Sequence, residues 1–513
     1  MKDRVRRRVL IASILGSGVV FLDGTVVNVA LPAIRAGLHG TLADQQWVVE
    51  AYLLTLSALL LVGGSLGDLR GRRRIFTIGL AGFGLCSLLC AVAQSTTWLI
   101  AARGAQGIAG ALLVPSSLAL IMDNFEEKAE QGAAIGTWTA WTGIATVIGP
   151  LGGGWLVQAA SWRWIFAINA VPVAITLYLL SRVDESARVG CQVDFAGGGL
   201  AVLGLAGPVF ALIEQPTYGW GDARVLAPLI AGAGLLVAFL AHERRSREPM
   251  LPLGLFGSRN FAVGNVTTFS LYGGLAVATF FLVLYLQQVG GYTPLGAGLA
   301  LLPITVVMFA LSRRFGALSA RVGPRWLMGI GPILAGIGLL LEIRVGSSAD
   351  YPSAVLPGIL VFALGLSATV APLTATVLGA VQPGHSGIAS GVNNAISRVA
   401  GLIAIAAVGA AIAASFTSRL HSELAGRHVP AAVLARAEAR PLVTRAPYAP
   451  RRVQPALRAA LRGASVHAFR LGMVISALLA IVGGVISLIG IENPRRARLE
   501  AELPFQECAR SGA

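Results

Sequence analysis

The chain has 513 residues, 55% of them apolar and only 12% charged, with a mean hydropathy of +0.73. Soluble domains carry about twice that charged fraction, so composition argues against a soluble enzyme or binding module. The formal charge is +16, yet two of the 40 basic residues are lysines (Lys2 and Lys128); the arginines cluster in short stretches between apolar runs, which is the pattern of membrane topology and not of nucleic-acid binding.

A membrane span needs about 20 mostly apolar residues. Fourteen such segments are expected, at roughly 9–30, 45–66, 75–94, 98–122, 132–158, 162–181, 195–213, 224–241, 261–287, 296–315, 325–344, 354–378, 387–414 and 465–490. An even number puts both termini on one side. Residues 2–22 imitate a secretion signal, with a basic start and then an apolar stretch. Asp23 interrupts that stretch and no small-residue cleavage site follows, so it reads as an uncleaved first helix. Between the second and third spans, Gly64 to Arg74 read GSLGDLRGRRR, four arginines and an aspartate in one tight turn. Cys86 and Cys90 lie one helical turn apart inside the third span and read as packing residues. With Cys191 and Cys508 they form no disulfide framework, and no metal spacing is present.

The arginines choose the sides. With the N-terminus cytoplasmic, the inner segments hold about 23 basic residues and the short outer loops about four, which fixes both termini in the cytoplasm of a multi-pass plasma-membrane protein. The loop 415–464 dissents. It belongs outside but carries nine arginines, is long enough to translocate despite them, and reads as a partly helical cap or a mobile flap.

An internal repeat supports the count. Gly316, Leu318, Ala320, Gly323 and Arg325, after the tenth span, echo Gly64, Leu66, Asp68, Gly71 and the arginines after the second. The fold expected is an all-α polytopic membrane protein with two six-helix bundles. Residues 1–182 form one, 259–494 the other, 183–258 supply two inserted helices and a linker, and 495–513 a cytoplasmic tail. Repeated bundles enclosing a site near the membrane midplane are a transporter plan.

These motifs resemble the major facilitator superfamily, and within it the fourteen-helix drug:proton antiporters. Gly64–Arg74 matches the loop signature of that family. Arg103, Gln106, Gly107 and Gly110 match its fourth-span signature. Gly149, Pro150, Gly153 and Gly154 match its antiporter signature. Leu22 to Pro32, Gly291 to Pro294 with Gly298 and Pro303, and Ser390 to Arg398 resemble the fourteen-helix branch. Three positions depart from the pattern: Glu50, where a small or neutral residue is usual; Ala320, which replaces the acid in the second loop copy; and Val399, where glutamine is common.

Residue chemistry and resemblance together suggest roles. Asp23 lies near mid-span, where an acid costs about 2.5–3.5 kcal/mol on insertion scales. It is the expected proton carrier; the plainer alternative is a packing acid bonded to Thr25 or Asn28. Arg103 cannot lose its proton and is too deep to reach water, so it must face a cavity or an acid. The resemblance implies that it couples to Asp23; the alternative is a structural ion pair. Glu50 is either a second protonation or cation site or a solvated group of the outer vestibule. Asp68 and Arg72, with Gly64 and Gly71, are expected to gate. Asp68 would meet the N-terminus of a partner helix and Asp123 would pair with Arg72; topology alone would also explain the arginines. Gly149, Pro150, Gly153 and Gly154 allow a kink and close helix approach. Asn28, Gln106, Trp138, Trp141, Gln287 and Arg398 are candidates for the substrate cavity. No Walker lysine, nucleophile elbow or HExxH is present, so the chain does not read as an enzyme. The expected function is proton-coupled export of amphipathic drugs or antibiotics, or else dedicated export of one metabolite, natural product or lipid. The expected partners are a small amphipathic molecule, protons and the bilayer, for a monomer needing no cofactor, metal or nucleic acid. Asp23→Asn is expected to abolish coupled efflux and leave folding intact.

Overall fold

The computed structural model of the chain describes residues 2–125, 127–185, 193–246, 249–381, 386–444, 446 and 449–493. Cys191, Cys508 and the tail 495–513 lie outside them. The described chain is helical: α1 (Lys2–Leu38), α2 (Leu42–Arg70), α3 (Arg72–Ala91), α4 (Thr96–Asn124), α5 (Lys128–Ala159), α6 (Trp164–Ala167), α7 (Ala170–Leu180), α8 (Phe195–Tyr218), α9 (Ala223–Arg245), α10 (Arg259–Gln288), α11 (Pro294–Ala300), α12 (Leu302–Val322), α13 (Pro324–Leu341), α14 (Leu356–Gly379), α15 (Ser386–Leu424), α16 (Ala431–Glu438) and α17 (Gln454–Gly490). Among the described residues, thirteen helices are long and apolar enough to cross a membrane. The pair α6–α7, over Trp164–Leu180, occupies the sixth expected position as a shorter apolar segment. The tenth expected span is interrupted at Leu301, where α11 ends and α12 begins with Pro303 in its first turn.

Helix ends follow local chemistry. Thr41 and Asp44 form a reciprocal capping box at the start of α2. The turn from α2 to α3 passes through Gly71 at φ +101°, a conformation costly for any residue with a Cβ. Its counterpart Gly323, between α12 and α13, has φ +88°. The two turns are built alike. Glu185, just beyond α7, accepts from the backbone N–H of Arg73 and Arg74 at 3.0 and 3.1 Å. Asn493, just beyond α17, accepts from the N–H of Arg325 at 3.1 Å. Each half therefore closes the start of its third helix with a side chain from behind its last. The repeat read in the sequence is a repeat of capping geometry, and Ala320 leaves that geometry intact.

The loop expected over 415–464 is mostly helix. α15 runs to Leu424, α17 begins at Gln454, and α16 lies between them. The alanine-rich helix period outlasts the apolar composition, so hydropathy ends the spans too early. Leu442, Ala446 and Leu457 are buried against the main core, so the segment is a packed cap.

Burial is uneven along the bundle axis. On the face opposite the N-terminus, one continuous core joins α1 residues such as Leu31 to α10 residues such as Phe281 and Tyr285. On the terminal face the core divides in two. One part groups Val9, Phe76 and Leu120; the other groups Phe261, Met328 and Leu373. The inserted helix α8 lies along the seam, where Leu205 and Val209 pack with Leu54 of α2 and Leu402 of α15. The halves thus meet at the far face and part toward the termini.

Candidate functional site

Asp23 is completely buried in α1, and its carboxylate is held from several helices. Arg103 of α4 donates through Nη1 to Asp23 Oδ2 in an ion pair whose members are 1% and 0% exposed. Gln106 and Asn169 donate amide N–H groups to Asp23 Oδ1 at 3.1 and 3.2 Å. Arg103 also donates to Gln106 Oε1 at 2.7 Å and, through Nε, to the Val48 carbonyl at 2.9 Å. Its guanidinium lies 4.2 Å from the centroid of the Tyr52 ring. The Ser87 hydroxyl accepts from Gln106 and Asn169 at 3.2 and 2.9 Å and donates to the Phe166 carbonyl at 3.1 Å. Spacing explains part of this: Arg103 and Gln106, three apart on α4, share a helix face.

The packing alternative for Asp23 named Thr25 and Asn28, and neither is a partner. Thr25 donates to its own helix, to the carbonyls of Phe21 and Leu22. Asn28 keeps its buried Oδ1 unpartnered among the described residues. The sequence reading missed Asn169, Ser87 and Tyr52. Asn169 did carry a signal, as a lone amide in the apolar run Trp164–Leu180. Ser87 carried none, because serine is common in membrane helices.

Glu50 corrects an expectation. It is not solvated in a vestibule; it is 0% exposed, and neither carboxyl oxygen has a partner among the described residues. One turn before it, Gln46 donates to the Ile405 carbonyl of α15 at 3.0 Å. Glu50 therefore sits on α2 close to the seam between the halves.

The loop signature forms a local triad. Arg72 donates to Asp68 Oδ1 at 2.8 Å, to the Ala119 carbonyl at 3.3 Å and to Asp123. The ties link α2, α3 and α4 within one half. Asp68 thus meets Arg72 instead of the helix N-terminus of a partner. Gly64 lies beside Pro115 of α4, and Gly71 forms the turn itself.

The antiporter signature is a two-sided seam on α5. A Cβ at Gly149 would stand 3.1 Å from the Leu22 carbonyl of α1, and one at Gly153 would collide with Val26. On the other side, a Cβ at Gly154 would fall 2.7 Å from Leu295 Cα and 2.8 Å from the Pro294 carbonyl of α11. Pro150 presents its carbonyl to Gly298. Only glycine permits these approaches. Gln287 donates to the Val29 carbonyl at 2.9 Å, and Arg35 to Gln288 at 3.3 Å, closing the same face.

Between the halves lies an open cavity of about 290 Å³, walled by Phe21, Trp138, Thr139, Thr142, Asn394 and Arg398 among others. Phe21 and Trp138 meet edge to face, 6.4 Å between ring centroids. Of the six cavity candidates, Trp138 and Arg398 line it. Gln106 belongs to the Asp23 network and Gln287 to the closed face. Trp141 is 53% exposed and, like Asn28, is not among the lining residues.

Residues 13–405 match the family model described as Major Facilitator Superfamily. The chain is 37% identical over 398 residues to the puromycin resistance protein pur8 of Streptomyces alboniger, covering 75% of this chain and 78% of that protein. It is 36% identical over 431 residues to the multidrug resistance protein Stp of Mycobacterium tuberculosis, covering 82% and 79%. In fold it resembles a bacterial homolog of the human lysosomal transporter Spinster, solved in an inward-facing, unoccupied conformation. The TM-score is 0.67 at 17% identity, covering 96% of this chain and 99% of that one. The all-helical bundle, the family match and these relatives agree: the chain belongs to the Major Facilitator Superfamily and is a membrane transporter.

Proposed function

We propose that the chain is a fourteen-helix proton-coupled antiporter that exports amphipathic drugs or antibiotics across the plasma membrane by alternating access. The observation that carries the reading is the buried pair of Asp23 and Arg103 with its amide partners. A proton added at Asp23 removes the counter-charge of a guanidinium that cannot discharge itself. Arg103 must then find a new partner, so proton uptake favours a different helix arrangement. That is what coupling requires. Resistance and export relatives favour drugs or antibiotics as cargo. The arginine bias of the loops favours cytoplasmic termini, which makes the conformation described here inward-open. Substrate then enters from the cytoplasm or inner leaflet and leaves when the halves rock. In the outward-open state the Asp68–Arg72–Asp123 triad is rearranged to hold the cytoplasmic faces together, while the α5–α11 seam opens. Glu50, buried near the seam, is a second candidate for proton uptake. The transporter acts as a monomer with the proton as its only coupling partner. Dedicated export of one natural product, metabolite or lipid shares this machinery and differs only in breadth.

The test uses purified protein in proteoliposomes with an imposed pH gradient. Wild type accumulates an amphipathic fluorescent dye only while the gradient stands. Asp23→Asn loses that gradient-driven accumulation but retains downhill exchange. Equal gradient-driven transport by Asp23→Asn refutes the assignment.

A further inference from the structure

The cavity wall carries a charge that the proposed cycle does not use. Arg398, on α15, shares the cavity wall with Phe21 of α1 and Trp138 of α5. Its guanidinium stands 5.8 Å from the centroid of the Phe21 ring and is in no ion pair among the described residues. No acid is among the described residues that line the cavity. Asp23, the nearest acid in sequence to Phe21, is fully committed to Arg103, Gln106 and Asn169. A guanidinium keeps its proton at any working pH. The cavity therefore presents one uncompensated positive charge beside two aromatic rings, with Asn394, Thr139 and Thr142 as neutral hydrogen-bonding groups. An organic cation entering it meets repulsion in a low-dielectric surround. A flat molecule bearing a carboxylate, sulfonate or acidic phenolate meets a fork of donors and two ring faces.

A second observation has the same sign. The packed cap on the face opposite the termini exposes Arg427, Arg451, Arg452, Arg458 and Arg462, none of them in an ion pair among the described residues. The acids of that region are already engaged: Glu423 with Arg419, and Glu438 with His421. Cavity and cap thus carry unpaired charge of the same sign at two places, which lowers the barrier for an anion and raises it for a cation at each. This also gives the arginine-rich loop a physical reason to stand where the topology rule disfavours it.

We propose that the preferred cargo is an amphipathic aromatic anion, bound through Arg398 against Phe21 and Trp138. The proposal rests on the exporter reading above. Its test uses two dyes that share a xanthene frame and differ in charge, anionic fluorescein and cationic rhodamine 6G. Both are counted chemically after filtration of proteoliposomes under a pH gradient. Wild type moves fluorescein about tenfold or more faster than rhodamine 6G, the scale of one charge-assisted contact. Arg398→Gln lowers the fluorescein to rhodamine 6G ratio by about tenfold, and Arg398→Lys, which keeps the charge, lowers it less. Because the wild-type comparison is decisive alone, a poorly folding variant does not rescue the idea. Export of rhodamine 6G but not fluorescein overturns the anion proposal and leaves the exporter reading standing. If neither dye responds to the gradient, the exporter reading itself fails. A ratio unchanged by Arg398→Gln overturns the role of Arg398.

Discussion

Replacing Asp23 with asparagine looks conservative, and the geometry says it is not. The carboxylate accepts from Arg103, from Gln106 at 3.1 Å and from Asn169 at 3.2 Å. Asparagine offers one acceptor and one NH₂ group where all three neighbours are donors. Arg103, 1% exposed, is left with the Val48 carbonyl and Gln106 but without a counter-charge. Breaking a buried pair from one side typically costs about 3–5 kcal/mol, because the remaining charge is stranded. The sequence expectation that Asp23→Asn leaves folding intact is therefore revised: the variant folds but is less stable by about that amount. Removing both charges relieves the penalty, so Asp23→Asn/Arg103→Gln is closer to wild type than Asp23→Asn alone. The assay is a double-mutant cycle on unfolding of the detergent-solubilised protein, run beside gradient-driven transport. The expected coupling energy is at least about 2 kcal/mol, with neither variant regaining coupled export. If the two single variants add to the double within about 0.5 kcal/mol, the residues do not act as a pair and the reasoning fails.

The other expectations can be checked in the same preparations. Gly71→Ala places a Cβ in a left-handed turn and 2.7 Å from the Glu185 carboxyl carbon, so stability falls by about 1–3 kcal/mol; an unchanged unfolding midpoint would show that the turn adapts freely. Glu185→Ala removes the acceptor at the start of α3 and costs about 1 kcal/mol, comparable to losing a helix cap. Glu50→Leu removes a buried carboxyl with no partner among the described residues, so thermal stability is retained or rises by about 1–3 kcal/mol. A clear fall would reveal a partner for Glu50, and lost coupling with stability kept would place it in the proton path. Gly154→Leu cannot fit against the α11 backbone, so labelling of a cysteine introduced at Thr139 in the cavity wall from the face opposite the termini increases while export drops.

The amino-acid order alone determined that this chain crosses the membrane many times. Apolar runs near 20 residues, set apart by arginines, leave no other stable solution. It also marked the charges worth explaining, because an aspartate or an arginine inside such a run stands out against its neighbours. The pairing of Arg72 with Asp123 was legible from position, since both sit at helix ends on one face of the membrane. Tertiary structure decided the rest. Asn169 and Ser87 join Asp23 only because α3 and the start of α7 are packed beside α1 and α4, and an ordinary polar residue says nothing about its neighbours until the helices are placed. Gln106 and Gln287 were indistinguishable as polar residues in spans, yet one holds the buried carboxylate and the other closes the far face. Trp138 and Trp141 differ by three positions, close to one turn, but packing alone set which side of α5 faces the cavity. A partly helical cap and a mobile flap were equally open readings of the segment between α15 and α17, because hydropathy measures affinity for lipid, whereas the cap is held by burial of Leu442, Ala446 and the α16 residue Ala437 against protein.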